Sequence, residues 1–251
     1  MNIDLKGKTA LITGSSQGIG LEIAKKLYEH GCKIAINGRN EKRLNKIKKT
    51  LKQAIVLKGD VTKEQDAKKI IKKFIKVYKN IDILVCNVGS GKSSKKRIDL
   101  MEWRRFFELN FWSTLNILNY ANKYLIKSNS SVICISSICG IEHVPNAPIP
   151  YSVAKSALNS YIKNQSKIFG KFNVRINAIA PGNIGFKGSV WQKKMSKFPL
   201  QTKKYIKENV PLNNLGKPSD VSNLVIYLAS KYAKFISGSI FVVDGGQVRN
   251  I

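Results

Sequence analysis

Gly14, Gly18 and Gly20 stand at G-x-x-x-G-x-G spacing in TALITGSSQGIG, between an apolar run and an amphipathic one. That arrangement can bind a phosphate chain. The glycines let the backbone turn tightly, bring main-chain N–H groups close to a pyrophosphate and pack a helix onto a strand. Free N–H groups at the helix start then face the negative charge. A second chemical signal ends the next apolar run, Lys33 to Asn37 (KIAIN), which leads into Gly38 and Arg39. In dinucleotide-binding βαβ units an acid at the end of this strand accepts the adenosine ribose hydroxyls and repels a 2′-phosphate. Asn37 and Gly38 hold those places here, and the Arg39 guanidinium can grip a phosphate with paired hydrogen bonds, with the Ser15 hydroxyl as a further donor. The competing reading is that Arg39 simply opens a solvated helix. A third signal is YSVAK, where Tyr151 and Lys155 would share one helix face. Tyr227 and Lys231 have the same spacing, as a lysine-rich chain makes expected, and are assigned to packing and surface. Only the first pair follows a serine pair, Ser136 and Ser137, at the end of an apolar run.

The elements that must position these groups alternate along the chain. Apolar strand patterns are read before the glycine turn, at Lys33 to Asn37, Ala54 to Leu57, Ile81 to Asn87, Ser131 to Ser136, Val174 to Gly182 and Ser239 to Val243. Helical patterns separate them: from Gly18, over Glu41 to Leu51, over Ala67 to Tyr78, over one long stretch from Leu100 to Lys127, over Tyr151 to Gly170 and over Pro218 to Ser230. This alternation predicts an α/β fold, a single doubly wound, Rossmann-like parallel sheet with helices on both faces, spanning 1–251 without a linker. The loop NVGSGKSSKKR after the fourth strand is polar and basic and is expected at a site mouth.

Composition narrows the function classes. The chain carries a formal charge of +29, which invites a nucleic-acid reading. The placement of the charge argues against it. Ala67, Ile70, Ile71, Phe74, Ile75 and Tyr78 recur at helical spacing while Lys68, Lys69, Lys72, Lys73, Lys76 and Lys79 fill the opposite, solvated face. The excess is Lys rather than the Arg that base reading favours. Cys32, Cys86, Cys134 and Cys139 lack C-x-x-C spacing, so free thiols are expected, and with only His30 and His143 no metal is. No apolar run is long enough to span a bilayer and no signal peptide is read, so a cytoplasmic protein without membrane contact is expected.

TGSSQGIG, Asn87-Val88-Gly89, Asn110, Ile135-Ser136-Ser137, YSVAK, Ala180-Pro181-Gly182 and the ending ISGSIFVVDGG together resemble the short-chain dehydrogenase/reductase family in order and spacing, over essentially the whole chain. The resemblance implies that Ser137, Tyr151, Lys155 and Asn110 are catalytic. Tyr151 would donate the proton to a carbonyl oxygen, its pKa lowered by Lys155. Lys155 would also hold the nicotinamide ribose, Ser137 would orient the carbonyl, and Asn110 would complete a proton relay through water. The cofactor, NADP(H), would contact Gly14, Ser15, Gln17, Gly18, Ile19, Gly20, Arg39, Asp60, Val61, Asn87, Gly89, Tyr151, Lys155, Pro181, Gly182 and Ile184. Two departures stand out: Cys86 and Val88 flank Asn87 in place of asparagine and alanine, and Phe186 replaces a threonine that commonly helps hold the cofactor amide, which puts the nicotinamide-side loop in question.

The function implied is an NADP(H)-dependent interconversion of a ketone and a secondary alcohol. Some relatives in the family are 3-oxoacyl carrier-protein reductases, whose acidic carrier a basic protein would attract; sugar or polyol oxidoreductases are the alternative. A non-catalytic dinucleotide sensor or scaffold is the competing class, although it would have no use for the acid/base residues. Residues 183–210, with Trp191, Met195, Phe198 and Tyr205, are expected to form a substrate lid. His143 is read as facing either the pocket or solvent. The resemblance also implies a homotetramer pairing the long helices, with Phe106, Phe107, Phe111 and Trp112 as interface residues, two of which could equally be core.

Overall fold

The computed structural model describes residues 3–94 and 97–249. β1 (Thr9–Ile12) runs into α1 (Gly18–Glu29), and β2 (Lys33–Gly38), α2 (Glu41–Thr50), β3 (Ile55–Lys58), α3 (Glu64–Tyr78) and β4 (Ile83–Cys86) follow. The second half comprises α4 (Leu100–Phe107), α5 (Ser113–Lys127), β5 (Ser131–Ile135), α6 (Ile149–Gly170), β6 (Arg175–Pro181), α7 (Val190–Lys197), α8 (Pro199–Asn209), α9 (Pro218–Ala229) and β7 (Ile240–Val243). The strands form one sheet in the order β3-β2-β1-β4-β5-β6-β7, with every pair parallel. Chain direction across the sheet reverses between β1 and β4, and ligands bind in the crevice at the carboxyl ends there.

Strands covered on both faces read as continuous apolar runs rather than alternating ones. TALI, ILVC and SVICI are accordingly buried at every position. The period of two still decides which core each residue enters. Ile12, Ile36, Val85 and Ile133 pack with Ile23 and Leu27 of α1 and Val221 and Val225 of α9. Leu11, Ala35, Leu84 and Val132 pack on the other face with Phe74 of α3, Ile117 of α5 and Leu158 and Ile162 of α6. The lysines of α3 lie on its exposed side, as its apolar spacing requires. The four cysteines are free thiols. Among the described residues no helix is long and apolar enough to cross a membrane.

The stretch expected as one helix from Leu100 to Lys127 is broken by a π-helical turn, Glu108–Trp112, between α4 and α5. Side chains within it and just after it bond back to the preceding turn: Asn110 Nδ2 donates to the Phe106 carbonyl at 2.9 Å and Ser113 Oγ to the Leu109 carbonyl at 2.8 Å. Such bonds compete with the regular ladder, and the extra residue of a π turn rotates a side chain that an α-helix would leave elsewhere. Phe106, offered as an interface residue, is fully buried and packs near Tyr151, whereas Trp112 stays exposed.

Candidate active site

A cavity of about 1080 Å³ opens along the carboxyl ends of β1 to β6. At its first end the glycine turn adopts left-handed backbone, with φ of 62° at Gly14 and 57° at Gly18. Gly14, Ser16, Gln17, Ile19 and Gly20 line the cavity. No side chain caps the start of α1. Its first N–H groups therefore keep their capacity for an anionic ligand, which fits the diphosphate of a dinucleotide. Ser15 is a correction. It is fully buried, donating to the Ile12 carbonyl at 2.9 Å and accepting from Asn37 N at 2.9 Å, so Ser16, which lies against Gly38, presents the hydroxyl instead. Gly18 does not border the cavity; a Cβ there would lie 2.5 Å from the Phe186 ring, which covers it.

Asn37 explains the missing acid on β2. Its Nδ2 donates to the Leu57 carbonyl at 2.9 Å and its Oδ1 accepts from Gly14 N at 3.3 Å, tying three strand ends together. A carboxylate could accept but not donate. Arg39 is exposed at the cavity rim with Nη1 3.6 Å from Asp60 Oδ2. Arg43, not anticipated, donates to Gln17 Oε1 at 2.6 Å beside the glycine turn. Arg39 precedes the Asn40 N-cap and Arg43 lies in the first turn of α2, so no shared helix face signalled the pair in the sequence. Asp60 and Val61 line the same end. Asn87 Nδ2 donates to the Thr13 and Gly14 carbonyls at 3.2 and 3.1 Å. At Gly89 a Cβ would sit 2.9 Å from Asn110 Oδ1 and 3.1 Å from Lys155 Nζ, so the backbone runs directly over both. Pro181, Gly182 and Ile184 border the far end.

Tyr151 and Lys155 occupy successive turns at the start of α6, and Ser137 follows β5. The Ser137 hydroxyl lies close enough to the Tyr151 phenol to lower its pKa and accepts from Cys139 N at 3.2 Å. Ser136 instead donates to Asn159 Oδ1 at 2.6 Å within the core. Asn110 accepts from Ser90 N at 2.9 Å and faces Lys155 across Gly89. Lys155 is buried and its Nζ donates to the Ile135 carbonyl at 2.8 Å. The expected lowering of the phenol's pKa is not met. Burial drives Tyr151 upward, Cys139 adds to that, and only the Ser137 hydroxyl opposes it. Burial likewise brings Lys155 from 10.5 down to about 8.

The Lys155 shift has a sign that can be measured. Between about pH 8 and 10.5 the unfolded chain holds a proton that the folded chain has released, so folding stability gains with rising pH. Below that window the cost of burying the ammonium is present in full. The wild type should therefore gain about 3 kcal/mol relative to Lys155→Met between roughly pH 7 and pH 10.5, read from urea unfolding of both proteins. A constant difference between the two would contradict this placement of the amine.

The loop after β4 is clamped by Glu102, which the sequence did not single out. Its carboxylate accepts from Ser94 N at 2.6 Å, Ser94 Oγ at 2.7 Å, and Arg105 Nε and Nη2 at 2.7 Å each. Arg105 above all, then the serines, hold Glu102 well below the usual carboxylate range. Arg105 Nη2 also donates to the Lys92 carbonyl at 2.8 Å. Gly89 to Ser94 thereby line the cavity mouth, as expected; Lys95 and Lys96 of this loop lie outside the described residues. Asn183 to Asn209 supplies α7 and α8, and Trp191 stacks on Tyr205 with centroids 5.3 Å apart. Both rings line the cavity, while Phe198 and His143 point to solvent.

A family model described as enoyl-(acyl carrier protein) reductase matches residues 14–247. The chain is 32% identical to a 3-oxoacyl-(acyl-carrier-protein) reductase of Chlamydia muridarum, over 98% of this chain and 100% of that one. Among solved structures, a 7α-hydroxysteroid dehydrogenase complexed with NADH and 7-oxo glycochenodeoxycholic acid superposes with a TM-score of 0.89 at 28% identity, covering 99% of this chain and 97% of the other. L-sorbose reductase from Gluconobacter frateurii, complexed with NADPH and L-sorbose, superposes with a TM-score of 0.91 at 26% identity, covering both chains fully (100% each).

Proposed function

The chain belongs to the short-chain dehydrogenase/reductase family, and from that premise we propose that it is an NADP(H)-dependent oxidoreductase interconverting a ketone and a secondary alcohol. The observation that carries this reading is the meeting of Ser137, Tyr151 and buried Lys155 on one cavity wall, with the Ser137 hydroxyl beside the phenol. A protein that only sensed a dinucleotide would need no such acid. The 3-oxoacyl reading follows the likeness to the Chlamydia enzyme; the sugar or polyol alternative follows the likeness to L-sorbose reductase.

The glycine turn and the uncapped start of α1 would hold the cofactor's diphosphate, Arg39 its 2′-phosphate, Lys155 its nicotinamide ribose, and Pro181, Gly182 and Ile184 its nicotinamide. The cofactor supplies or accepts the hydride when bound. Ser137 holds the carbonyl oxygen and Tyr151 gives it a proton as the alcohol forms. Because burial keeps the proton on Tyr151 at rest, the phenolate needs the Lys155 ammonium beside it to form at all. Asn110 fixes the loop at Ser90 and, through water, passes the replacement proton by way of Lys155. Phe186 covers the glycine turn with an apolar ring and offers no hydroxyl, so a cofactor amide would have to be held by backbone groups of this loop. The exposed apolar residues Leu100, Met101, Trp112, Ile149, Val153 and Ile168 lie on the helices through which a homotetramer would pair. The decisive assay follows reduced cofactor across acetoacetyl thioesters, keto sugars and simple cyclic ketones. NADPH-dependent reduction of the thioester above the others is expected, and preference for a keto sugar would move the function to the alternative.

A further inference from the structure

One wall of the cavity is assembled from residues far apart in the chain. Asn183 follows β6, Tyr205 lies in α8 and Gln247 follows β7. Asn183 and Gln247 are 7% and 9% exposed. Asn183 and Tyr205 line the cavity, and the stacked Trp191 fixes the Tyr205 ring. Tyr205 and Ser137 line the same cavity. Gln247 Nε2 donates to the Tyr205 oxygen at 3.2 Å. That bond leaves the phenol's own hydrogen free to donate. Asn183 Nδ2 and Gln247 Oε1 are buried and complete no hydrogen bond of good geometry among the described residues, although Asn183 lies close enough to the Tyr205 phenol to lower its pKa. Buried amide groups are nearly always bonded, so the open Asn183 donor on the cavity wall points to a ligand that accepts from it; Gln247 Oε1, an acceptor behind that wall, needs a donor instead. Gly182 keeps this wall open: a Cβ there would come within 3.3 Å of Gln247 Oε1.

We propose that Asn183 and Tyr205, backed by Gln247, form a subsite for a second oxygen-bearing group of the substrate, a carbonyl or hydroxyl a few bonds from the reacting ketone. Two donors converge there, from the Asn183 amide and the Tyr205 hydroxyl, so the group they hold is an acceptor oxygen. This deepens the oxidoreductase reading and rests on it. Both 3-oxoacyl compounds and keto sugars carry such an oxygen, whereas a hydrocarbon ketone does not.

The test compares ethyl 3-oxobutanoate and 1-hydroxy-2-hexanone with 2-hexanone as substrates for the NADPH-supplied protein. The wild type should prefer the oxygenated ketones in kcat/KM by about tenfold, and in Tyr205→Phe and Asn183→Leu that ratio should fall to about one. Phe preserves the stacking on Trp191, so a loss of fold is separable from a loss of the hydroxyl. An unchanged ratio in both variants, or an equal loss on all three ketones, overturns the subsite and leaves the oxidoreductase reading standing. Tryptophan fluorescence provides the second readout. Saturable quenching by the oxygenated ketones that Tyr205→Phe abolishes, without turnover of any ketone, would support the subsite while removing the oxidoreductase reading. The absence of both turnover and quenching overturns the subsite.

Discussion

Tyr151→Phe is expected to reduce kcat by about a hundred- to ten-thousand-fold, the usual worth of a positioned general acid, while NADPH binding stays nearly unchanged. The substitution removes one oxygen. The ring would keep its place near Phe106, 6.3 Å away between centroids, and Ser137 would keep its bond from Cys139 N. What disappears is the proton that the carbonyl oxygen must receive. Cys139, whose thiol also meets Ser137, is a poor replacement because burial pushes that thiol upward. Lys155→Ala should instead weaken cofactor binding and turnover together, since one side chain would serve both. Turnover at wild-type rates in Tyr151→Phe, alongside an unchanged NADPH affinity by fluorescence titration, would remove Tyr151 from the reaction.

Arg39→Ala should weaken NADPH binding by roughly ten- to hundred-fold and leave NADH nearly unaffected. The guanidinium stands at the rim with Asp60 as its ion-pair partner, and an exposed pair at 3.6 Å contributes little to stability. It can turn to a 2′-phosphate at small cost. Asn37, committed to backbone groups of β3 and the glycine turn, offers no competing carboxylate. Arg43 stands on the same side, bonded to Gln17, so Arg39→Ala with Arg43→Ala should lose more than either alone. Isothermal titration with both cofactors measures this directly. Equal affinity of the wild type for NADPH and NADH, or an Arg39→Ala protein that retains NADPH, would end the assignment.

The alternation of strands and helices, the glycine turn and the proximity of Tyr151 to Lys155 were legible in the chain because each depends on neighbours within a few residues. An apolar run of four or five residues can be buried on both faces only inside a parallel sheet, and i,i+4 groups on a helix share a face whatever surrounds them. The break in the long helix was not legible. Asn110 and Ser113 are unremarkable as residue types, and the π turn exists because their side chains meet the carbonyls of the preceding turn while the loop at Ser90 packs alongside.

By itself, then, the sequence determined the alternation of the main strands and helices, the family and the residues that could do the chemistry. Tertiary structure decided how those residues are used. Of two adjacent serines in the glycine turn, backbone direction alone turned Ser15 into the core and Ser16 to the cavity. Desolvation depends on everything packed around a group, so no local pattern could show that Tyr151 rises rather than falls, or that Lys155 drops to about 8. Asn183, Tyr205 and Gln247 meet only because β6, α8 and the segment after β7 converge at one end of the sheet, and a contact between residues so far apart in the chain leaves no periodic trace in it.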